Sequence, residues 1–196
     1  MIIWIAIALI VAKIKGYKIK SAFTAHVLYP IYIVELVYCF FQFNAFFGNY
    51  AFVKDPYPSI LQKLALLALL PPILYYKLYK PAIVGSFLTI LGTALNRIVI
   101  SANGGFMPVY PTLSKITGYY KEGMLEQGLD NLHIMLTSET KLNILADYID
   151  VGWSIMSIGD LLIHSFTSII IYSAVVAINT QIHQKIKEVG EQSAIR

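Results

Sequence analysis

Long apolar runs, separated by short polar turns, dominate the hydrophobic pattern of this 196-residue chain. A membrane-spanning helix needs about 20 mostly apolar residues, because the hydrocarbon core of a bilayer is roughly 30 Å thick. The pattern therefore predicts an all-α integral membrane protein, a bundle of about five transmembrane helices forming one membrane domain over residues 1–196. The predicted spans are Ile2–Ala12, Ala22–Phe47, Leu61–Tyr76, Ala82–Ala102 and Trp153–Ile178.

Composition supports the same class of protein. Hydrophobic residues make up 57% of the chain and charged residues 13%, and the mean hydropathy is +0.65. A soluble domain carries about a quarter charged residues, so an ordinary soluble protein is excluded. The alternating strands of an outer-membrane barrel are absent from the pattern.

The basic residues at the ends of the spans predict the orientation of the chain. Lys and Arg are enriched on the cytoplasmic side of membrane proteins. This rule places the N-terminus and the loop 103–152 outside and the tail 179–196 in the cytoplasm. The net charge of +4 is thus a topology signal, and no nucleic-acid partner is expected. The predicted cytoplasmic set is Lys13, Lys15, Lys18, Lys20, Lys77, Lys80, Lys185, Lys187 and Arg196, against Lys54, Lys115, Lys121 and Lys141 outside.

The outer loop carries the pattern of short helices that cover the bundle as a lid. The first helix is indicated by four leucines at helical spacing, Leu125, Leu129, Leu132 and Leu136. A second helix is predicted from near Ser138 or Thr140 to Ile149.

Asp160 lies within the fifth apolar run, where an ionisable side chain costs several kcal/mol unless it has a partner or faces water. Ser157, His164 and Ser168 share its face of the predicted helix, because they are spaced by three and four residues. This face predicts a polar site inside the bundle.

Counting residues from the predicted span ends gives each buried charge a depth. At 1.5 Å per residue, Arg97 and Asp160 lie about 10 Å below the outer boundary, and Glu35 and His164 about 16–20 Å. The pairs Arg97–Asp160 and Glu35–His164 match in sign and depth, and we predict that they are neighbours. They are either structural ion pairs or the lining of an outward-facing polar cavity between spans two, four and five.

The fourth span adds further candidate residues. Gly85, Gly92 and Asn96 fall on one face, a pattern typical of close helix packing. After Asn103, the pair Gly104–Gly105 either ends the helix in left-handed geometry or exposes backbone amides to a ligand. In the second span, Pro30 is expected to kink the helix. The candidate binding residues are Glu35, Asn96, Arg97, Asn103, Gly104, Gly105, Ser157 and His164.

The sequence motifs of several classes of enzyme and nucleotide-binding protein are absent from this chain. No phosphate-binding loop, dinucleotide fingerprint, HExxH or GxSxG occurs. The four histidines are scattered, so neither a metal site nor a cofactor is predicted. A single cysteine, Cys39, rules out an internal disulfide.

Three motifs carry a resemblance to a known family: ANGGFMPV at 102–109, TKLNILADYID at 140–150 and SIMSIGDLLI at 154–163. With the turn KIKGYK at 13–18, they resemble the bacterial membrane proteins of domain of unknown function 5317. The resemblance covers nearly the whole chain. It implies a helical membrane fold and a location in the bacterial plasma membrane, and it implies no activity.

A second, local resemblance is to lipoprotein signal peptidase, an intramembrane aspartyl enzyme. Asp147 and Asp160 match the places of that family's two aspartates, one before and one at the start of the last span. Ile158 stands where that family has an asparagine. The resemblance implies two catalytic carboxylates that share a proton and activate water.

Three functions follow from these features. The first is a polar intramembrane site that binds a small molecule, lipid headgroup or peptide, or supports a membrane-protein partner. The second is an aspartyl hydrolase that uses Asp147 and Asp160. The third is a structural or assembly subunit, embedded in the lipid bilayer and held by ion pairs.

Overall fold

The computed structural model describes residues 2–47, 57–125 and 132–194, and within them the chain is mostly helical. Three helices are long and apolar enough to cross a membrane, His26–Asn44, Tyr79–Ala102 and Ile158–Glu188, and two shorter apolar helices accompany them. The α-helices are α1 (Ile2–Ile14), α2 (Lys20–Thr24), α3 (Tyr29–Phe46), α4 (Tyr57–Ala68), α5 (Leu70–Tyr75), α6 (Tyr79–Ala102), α7 (Leu113–Thr117) and α8 (Ile158–Ala194). The strands are β1 (Met107–Val109), β2 (His133–Met135), β3 (Ile149–Asp150) and β4 (Ile155–Met156).

Helix α8 is the centre of the fold. In its most apolar stretch 44% of the residues are buried, against 17% for the corresponding stretches of the other two long helices. Small side chains of α1, Ala8 and Ala12, pack in the core against larger ones of α8, such as Ile171 and Val175. Helix α1 therefore lies close along α8.

Helices α6 and α8 run antiparallel and cross where glycines allow their backbones to approach. A β-carbon on Gly92 would collide with the carbonyl oxygen of Gly159, and one on Gly85 would collide with the Phe166 ring. The predicted role of the small residues on the fourth span, close packing of helices, is confirmed.

Prolines set the breaks in the second and third predicted spans. The second span is divided: α2 ends at Thr24, a 3-10 turn follows at His26–Leu28, and Pro30 sits in the first turn of α3. The third is divided into α4 and α5, since Pro71 and Pro72 lack the N–H groups that would bond back into α4.

The predicted limits of the fifth span are wrong at both ends. Residues 153–157 belong to a β-hairpin and its exit, and α8 begins only at Ile158. The helix then continues to Ala194, so most of the predicted tail is helical. At 1.5 Å per residue its 37 residues extend about 55 Å.

The segment 103–157, here called the cap, contains strands where helices were predicted. Strands β1 and β2 pair in parallel, and β3 and β4 form an antiparallel hairpin. Of the four leucines, Leu129 lies outside the described residues, and Leu132 and Leu136 flank β2. The predicted second helix is reduced to a 3-10 turn, Asn143–Leu145.

Side chains explain why the cap is not helical. The Asn103 amide accepts a hydrogen bond from the Lys141 backbone N–H at 2.8 Å and donates one to the Lys141 carbonyl at 2.9 Å. Asn143 donates to the Thr137 carbonyl at 2.9 Å. These bonds satisfy backbone groups in a way that competes with helix formation.

Candidate functional site

Asp160 belongs to the N-terminal cap of α8. Its carboxylate accepts the Ser157 backbone N–H at 3.0 Å, and the Ser157 hydroxyl oxygen accepts the Asp160 backbone N–H at 2.9 Å. This reciprocal pair is a capping box, which satisfies two N–H groups that the first helical turn leaves without partners. The carboxylate also lies at the positive end of the helix dipole.

Asn96 of α6 completes the network. Its side-chain N–H₂ donates to the second Asp160 oxygen at 2.9 Å, and its carbonyl oxygen accepts the hydroxyl of the fully buried Ser157 at 2.9 Å. A side chain at Gly159 would collide with the Asn96 oxygen, so the glycine leaves space for the amide. The three side chains therefore link α6 to α8.

Arg97 is not the neighbour of Asp160 that the sequence predicted. Its side chain is exposed, while Asn96 faces α8. Successive residues of a helix differ by about 100° in direction, so only one of the two can face the partner helix. The predicted depth of Asp160 was counted from Trp153, whereas α8 begins at Ile158.

The two residues of the predicted polar face that lie farther along α8, His164 and Ser168, contact α1 instead of α6. The His164 ring stacks on Trp4, with centroids 5.9 Å apart and planes at 23°. The Ser168 hydroxyl donates to the Trp4 carbonyl at 2.7 Å. The polar face that the sequence predicted, Ser157, Asp160, His164 and Ser168, is thus divided between an interface with α6 and one with α1.

A cavity of about 250 Å³ lies between α1, α3, α8 and the β3–β4 hairpin. Helix α1 contributes Trp4, α8 contributes His164 and the hairpin contributes Trp153 and Ser154. Helix α3 contributes three polar or polarisable side chains, Tyr38, Cys39 and Gln42. The cavity is lined by helices of the predicted spans one, two and five, whereas the sequence predicted a site between predicted spans two, four and five.

Two polar side chains of α3 that line this cavity are bonded to each other. The Gln42 amide donates to the Tyr38 hydroxyl oxygen at 2.9 Å. The Gln42 carbonyl oxygen is buried and has no hydrogen-bond partner among the described residues. Glu35 lies two turns before Gln42 on the same helix and is only 3% exposed. The predicted contact between Glu35 and His164 stays a prediction.

Polar contacts also hold the cap together. Asp150 accepts hydrogen bonds from the Ser114 hydroxyl at 2.7 Å and from the Thr112 and Ser114 backbone N–H groups at 2.7 and 2.9 Å. Partial burial acts to raise the pKa of Asp150, but these hydrogen bonds, with one from Gly152, outweigh it and lower the pKa below its ordinary value. Asp150 thereby fixes the start of α7.

Asn103, Gly104 and Gly105 form the turn that leads from α6 into the cap. Both glycines have positive φ, +68° and +96°, and the Gly105 N–H donates to the Ile100 carbonyl at 2.9 Å. The left-handed turn that was predicted here is confirmed at the two glycines, while Asn103 has a φ of −114°.

The chain matches the model of a family described as a family of unknown function, DUF5317, over residues 17–172. This match covers most of the chain. The chain belongs to the DUF5317 family. An uncharacterized protein of Thermotoga maritima is 33% identical to it over 117 residues, which cover 54% of this chain and 64% of that protein. No solved structure matches the chain.

The DUF5317 match includes only part of the cavity lining. Helices α2 to α7, the cap and the first part of α8 lie within residues 17–172, and α1 precedes them. The side of the cavity formed by Trp4 is therefore outside the matched region, and the sides formed by Gln42 and His164 are inside it.

The two aspartates of the peptidase resemblance have separate partners in the DUF5317 structure. Asp147 is buried, and His133 Nε2 lies 3.1 Å from its carboxylate. Asp160 is bound by Ser157 and Asn96. Catalysis by this pair stays a prediction. Within the described ranges, no group of three or more His, Cys, Asp and Glu side chains is placed to hold a metal ion.

The walls of the cavity and the capping box were not predicted from the sequence. The capping box has a sequence signal, Ser-x-x-Asp before an apolar run, which residues 157–160 carry. No sequence pattern predicts that Trp4 and Trp153 line the same cavity, because their positions depend on how α1 and the hairpin pack on α8.

Proposed function

We propose that this DUF5317 chain is a multi-pass plasma-membrane protein that binds a small ligand in the cavity beneath its cap. The cap faces the outside, as does the N-terminus, and the C-terminal end of α8 lies in the cytoplasm. The observation that carries the proposal is the cavity itself, about 250 Å³ between α1, α3, α8 and the β3–β4 hairpin. An engineered cavity of about 150 Å³ in another protein binds benzene, so a space of this size admits a small molecule.

The surfaces of the long helices support placement in a bilayer. On α6, Ile83, Phe87 and Ile90 are 63–70% exposed, and α3 exposes Leu36 and Phe40 in the same way. An apolar surface of this kind is unfavourable in water and is typical of a lipid-facing helix.

The placement of charges supports the orientation. The Lys18 N–H donates to the Asn179 side chain at 2.9 Å. This bond places the basic turn after α1 beside the second half of α8, roughly 30 Å along the helix from the cap. Lys77 precedes α6 and Lys80 lies in its first turn, at the end of α6 away from the cap. Basic residues thus cluster at the end away from the cap, as expected for a cytoplasmic face.

Cys39 allows a direct test, because it is the chain's single cysteine and it lines the cavity. In sealed right-side-out vesicles, a charged, membrane-impermeant methanethiosulfonate added outside should modify Cys39. The substitution Ser154→Phe, which fills the cavity from the cap side, should slow this reaction strongly without lowering thermal stability.

The control moves the thiol to an exposed position of the cap, in Cys39→Ala/Ile144→Cys. Its reaction with the reagent should not respond to Ser154→Phe. No reaction at Cys39, or a reaction at Cys39 that Ser154→Phe does not slow, would favour a structural subunit over a binding protein.

A further inference from the structure

Arg97 is the only charged residue of α6 after Lys80, and it points away from the rest of the protein. Its side chain is exposed. Asn96, which contacts α8, differs from it in direction by about 100° around the helix, whereas Ile83 and Ile90 differ from it by only about 20–40°. Arg97 therefore lies on the same outward face of α6 as two large, exposed apolar side chains.

The Arg97 guanidinium has no hydrogen-bond or ion-pair partner within the described part of the chain. Helix α6 contains no acidic residue. Asp160, on the helix that α6 crosses, is already bonded by Ser157 and Asn96. A guanidinium without a counter-charge is unfavourable on a lipid-facing surface, so this position fits a negative group from outside the chain.

The depth of Arg97 brings its side chain near the lipid phosphates on the cap side. Helix α6 has 24 residues and is about 36 Å long at 1.5 Å per residue, against a hydrocarbon core of roughly 30 Å. With the helix centred in that core, the Arg97 backbone lies about 5 Å inside the boundary on the cap side. An arginine side chain covers this distance with its methylene groups in the apolar region and its charge at the interface.

Ser101 adds a second donor on the same face, one turn nearer the cap. It follows Arg97 by four residues, so the two side chains differ in direction by only about 40°. Ser101 is exposed, and its hydroxyl makes no hydrogen bond to another described residue. A phosphate group accepts two parallel hydrogen bonds from a guanidinium and has further oxygens for a hydroxyl, so the two residues together match a phosphate.

The surface one turn nearer the membrane centre suits an acyl chain. Thr93 and Ala94 are exposed and short. The Thr93 hydroxyl donates to the Thr89 carbonyl at 2.8 Å, so its polar group is satisfied within the helix. Below Arg97 the face is therefore shallow, apolar in character and continuous with the lipid-facing surface at Phe87 and Ile90.

A second copy of the chain fits this face less well than a lipid does. A symmetric two-copy interface uses the same surface on both copies, so it would bring one Arg97 beside the other. A phospholipid supplies a negative group at the level of Arg97 and an apolar chain for the surface below it.

We propose that Arg97 and Ser101 bind the phosphate of an anionic phospholipid in the leaflet on the cap side, with an acyl chain lying over Ala94. The phosphate of a zwitterionic lipid has an ammonium group in the same molecule, whereas that of phosphatidylglycerol leaves its whole negative charge for Arg97. This inference rests on the proposed placement of the chain in a bilayer, and it adds a lipid class and the residues that select it.

Quenching by brominated lipids gives a local test. In a Cys39→Ser background, a bimane label is attached to Ala94→Cys, and the full chain is reconstituted in phosphatidylcholine vesicles with increasing fractions of a dibromostearoyl lipid. Dibromostearoyl phosphatidylglycerol should compete for the site roughly fivefold better than dibromostearoyl phosphatidylcholine, as expected for one basic side chain at an anionic headgroup.

Substitutions at the site make the test specific. Arg97→Gln should abolish the preference and leave quenching by phosphatidylcholine unchanged, whereas Arg97→Lys should keep most of it because the positive charge remains. Ser101→Ala should weaken the preference. The control label is placed at Phe40→Cys, an exposed residue of α3 close to the residues that line the cavity below the hairpin. Helix α3 contains no Lys or Arg, so this label should not respond to Arg97→Gln.

The outcomes separate this inference from the placement in a bilayer. Equal quenching by the two lipids at position 94, or a preference that Arg97→Gln does not reduce, would overturn the phosphate site and leave the placement intact. Quenching at position 40 with none at position 94 would show that protein covers this face, and it would replace the lipid by a second copy of the chain. No quenching at either position would overturn the inference together with the placement in a bilayer, whereas ligand binding in the cavity is tested separately at Cys39.

Discussion

Replacing Asp160 by Asn should destabilise the bundle, and a second change at position 96 should restore it. The native carboxylate accepts two hydrogen bonds, from the Ser157 N–H and from the Asn96 amide. An asparagine at this position has one oxygen, so one of these donors loses its acceptor and faces an N–H₂ group.

The expected cost follows from those contacts. A hydrogen bond to a charged group contributes about 1.5–3 kcal/mol, and a carboxylate in the first turn of a helix adds about 0.3–1 kcal/mol. Asp160→Asn should therefore lower the free energy of unfolding by about 2–4 kcal/mol. In a chain of this size the loss corresponds to a fall in Tm of roughly 5–15 °C.

The exchange variant Asn96→Asp/Asp160→Asn reverses the network without removing it. The amide introduced into α8 would accept the Ser157 N–H and donate to the carboxylate introduced into α6, whose other oxygen would accept the Ser157 hydroxyl. Unfolding in mixed micelles by increasing dodecyl sulfate, for the native chain, both single variants and the double variant, gives the coupling between the two positions. The double variant should recover more than half of the loss.

Arg97→Gln is the matched control, because Arg97 is the neighbouring α6 residue and is exposed. It should change stability by less than about 0.5 kcal/mol, as surface substitutions usually do. If Arg97→Gln destabilises the chain as much as Asp160→Asn, or if the exchange variant is less stable than the sum of its single changes, the assignment of Asn96 as the partner of Asp160 is refuted.

Three further predictions concern the helix crossing, the cap and the orientation. Gly159→Ala should lower stability in the same assay by about 1–3 kcal/mol through overpacking, and a stability equal to the native chain would contradict the close crossing. The pKa of Asp150 is lowered in the folded cap. Its stabilising effect should therefore be present above the unfolded pKa of 3.8 and be lost as pH falls through the lower folded value. The hydrogen-exchange rate of residues 112–118, corrected for the intrinsic rate, should rise in that pH range in the native chain and show no such step in Asp150→Asn. In a Cys39→Ser background, an impermeant thiol reagent outside should label a cysteine that replaces Lys121 and not one that replaces Lys18, and the opposite result would reverse the orientation.

The sequence predicted well the features that depend on local pattern. Three long apolar helices, the close packing at Gly85 and Gly92, the break near Pro30 and the glycine turn at 104–105 follow from hydrophobic period, missing side chains and missing N–H groups. The family resemblance drawn from three short motifs is also confirmed. Each of these features is decided within a few residues of chain.

The cap was mispredicted because its structure depends on distant contacts. Asp150 caps α7 from 36 residues away, and Asn103 pairs with the Lys141 backbone 38 residues along the chain. A leucine spacing compatible with a helix was outweighed by these bonds and by strand pairing with β1. The position of α1 also depends on distant contacts, because Ser168 bonds to Trp4, 164 residues away along the chain.

Asp160 illustrates why the cost of a buried polar residue is a weak guide to a binding function. Asp160 stands out in the sequence as a charge in an apolar run, yet its contacts to Ser157 and Asn96 account for it as a helix cap and a link between helices. A group whose hydrogen bonds are complete in the folded chain gains little from a ligand. For this reason the binding proposal rests on the cavity between α1, α3 and α8, and the carboxylate of Asp160 is assigned to the stability of the bundle.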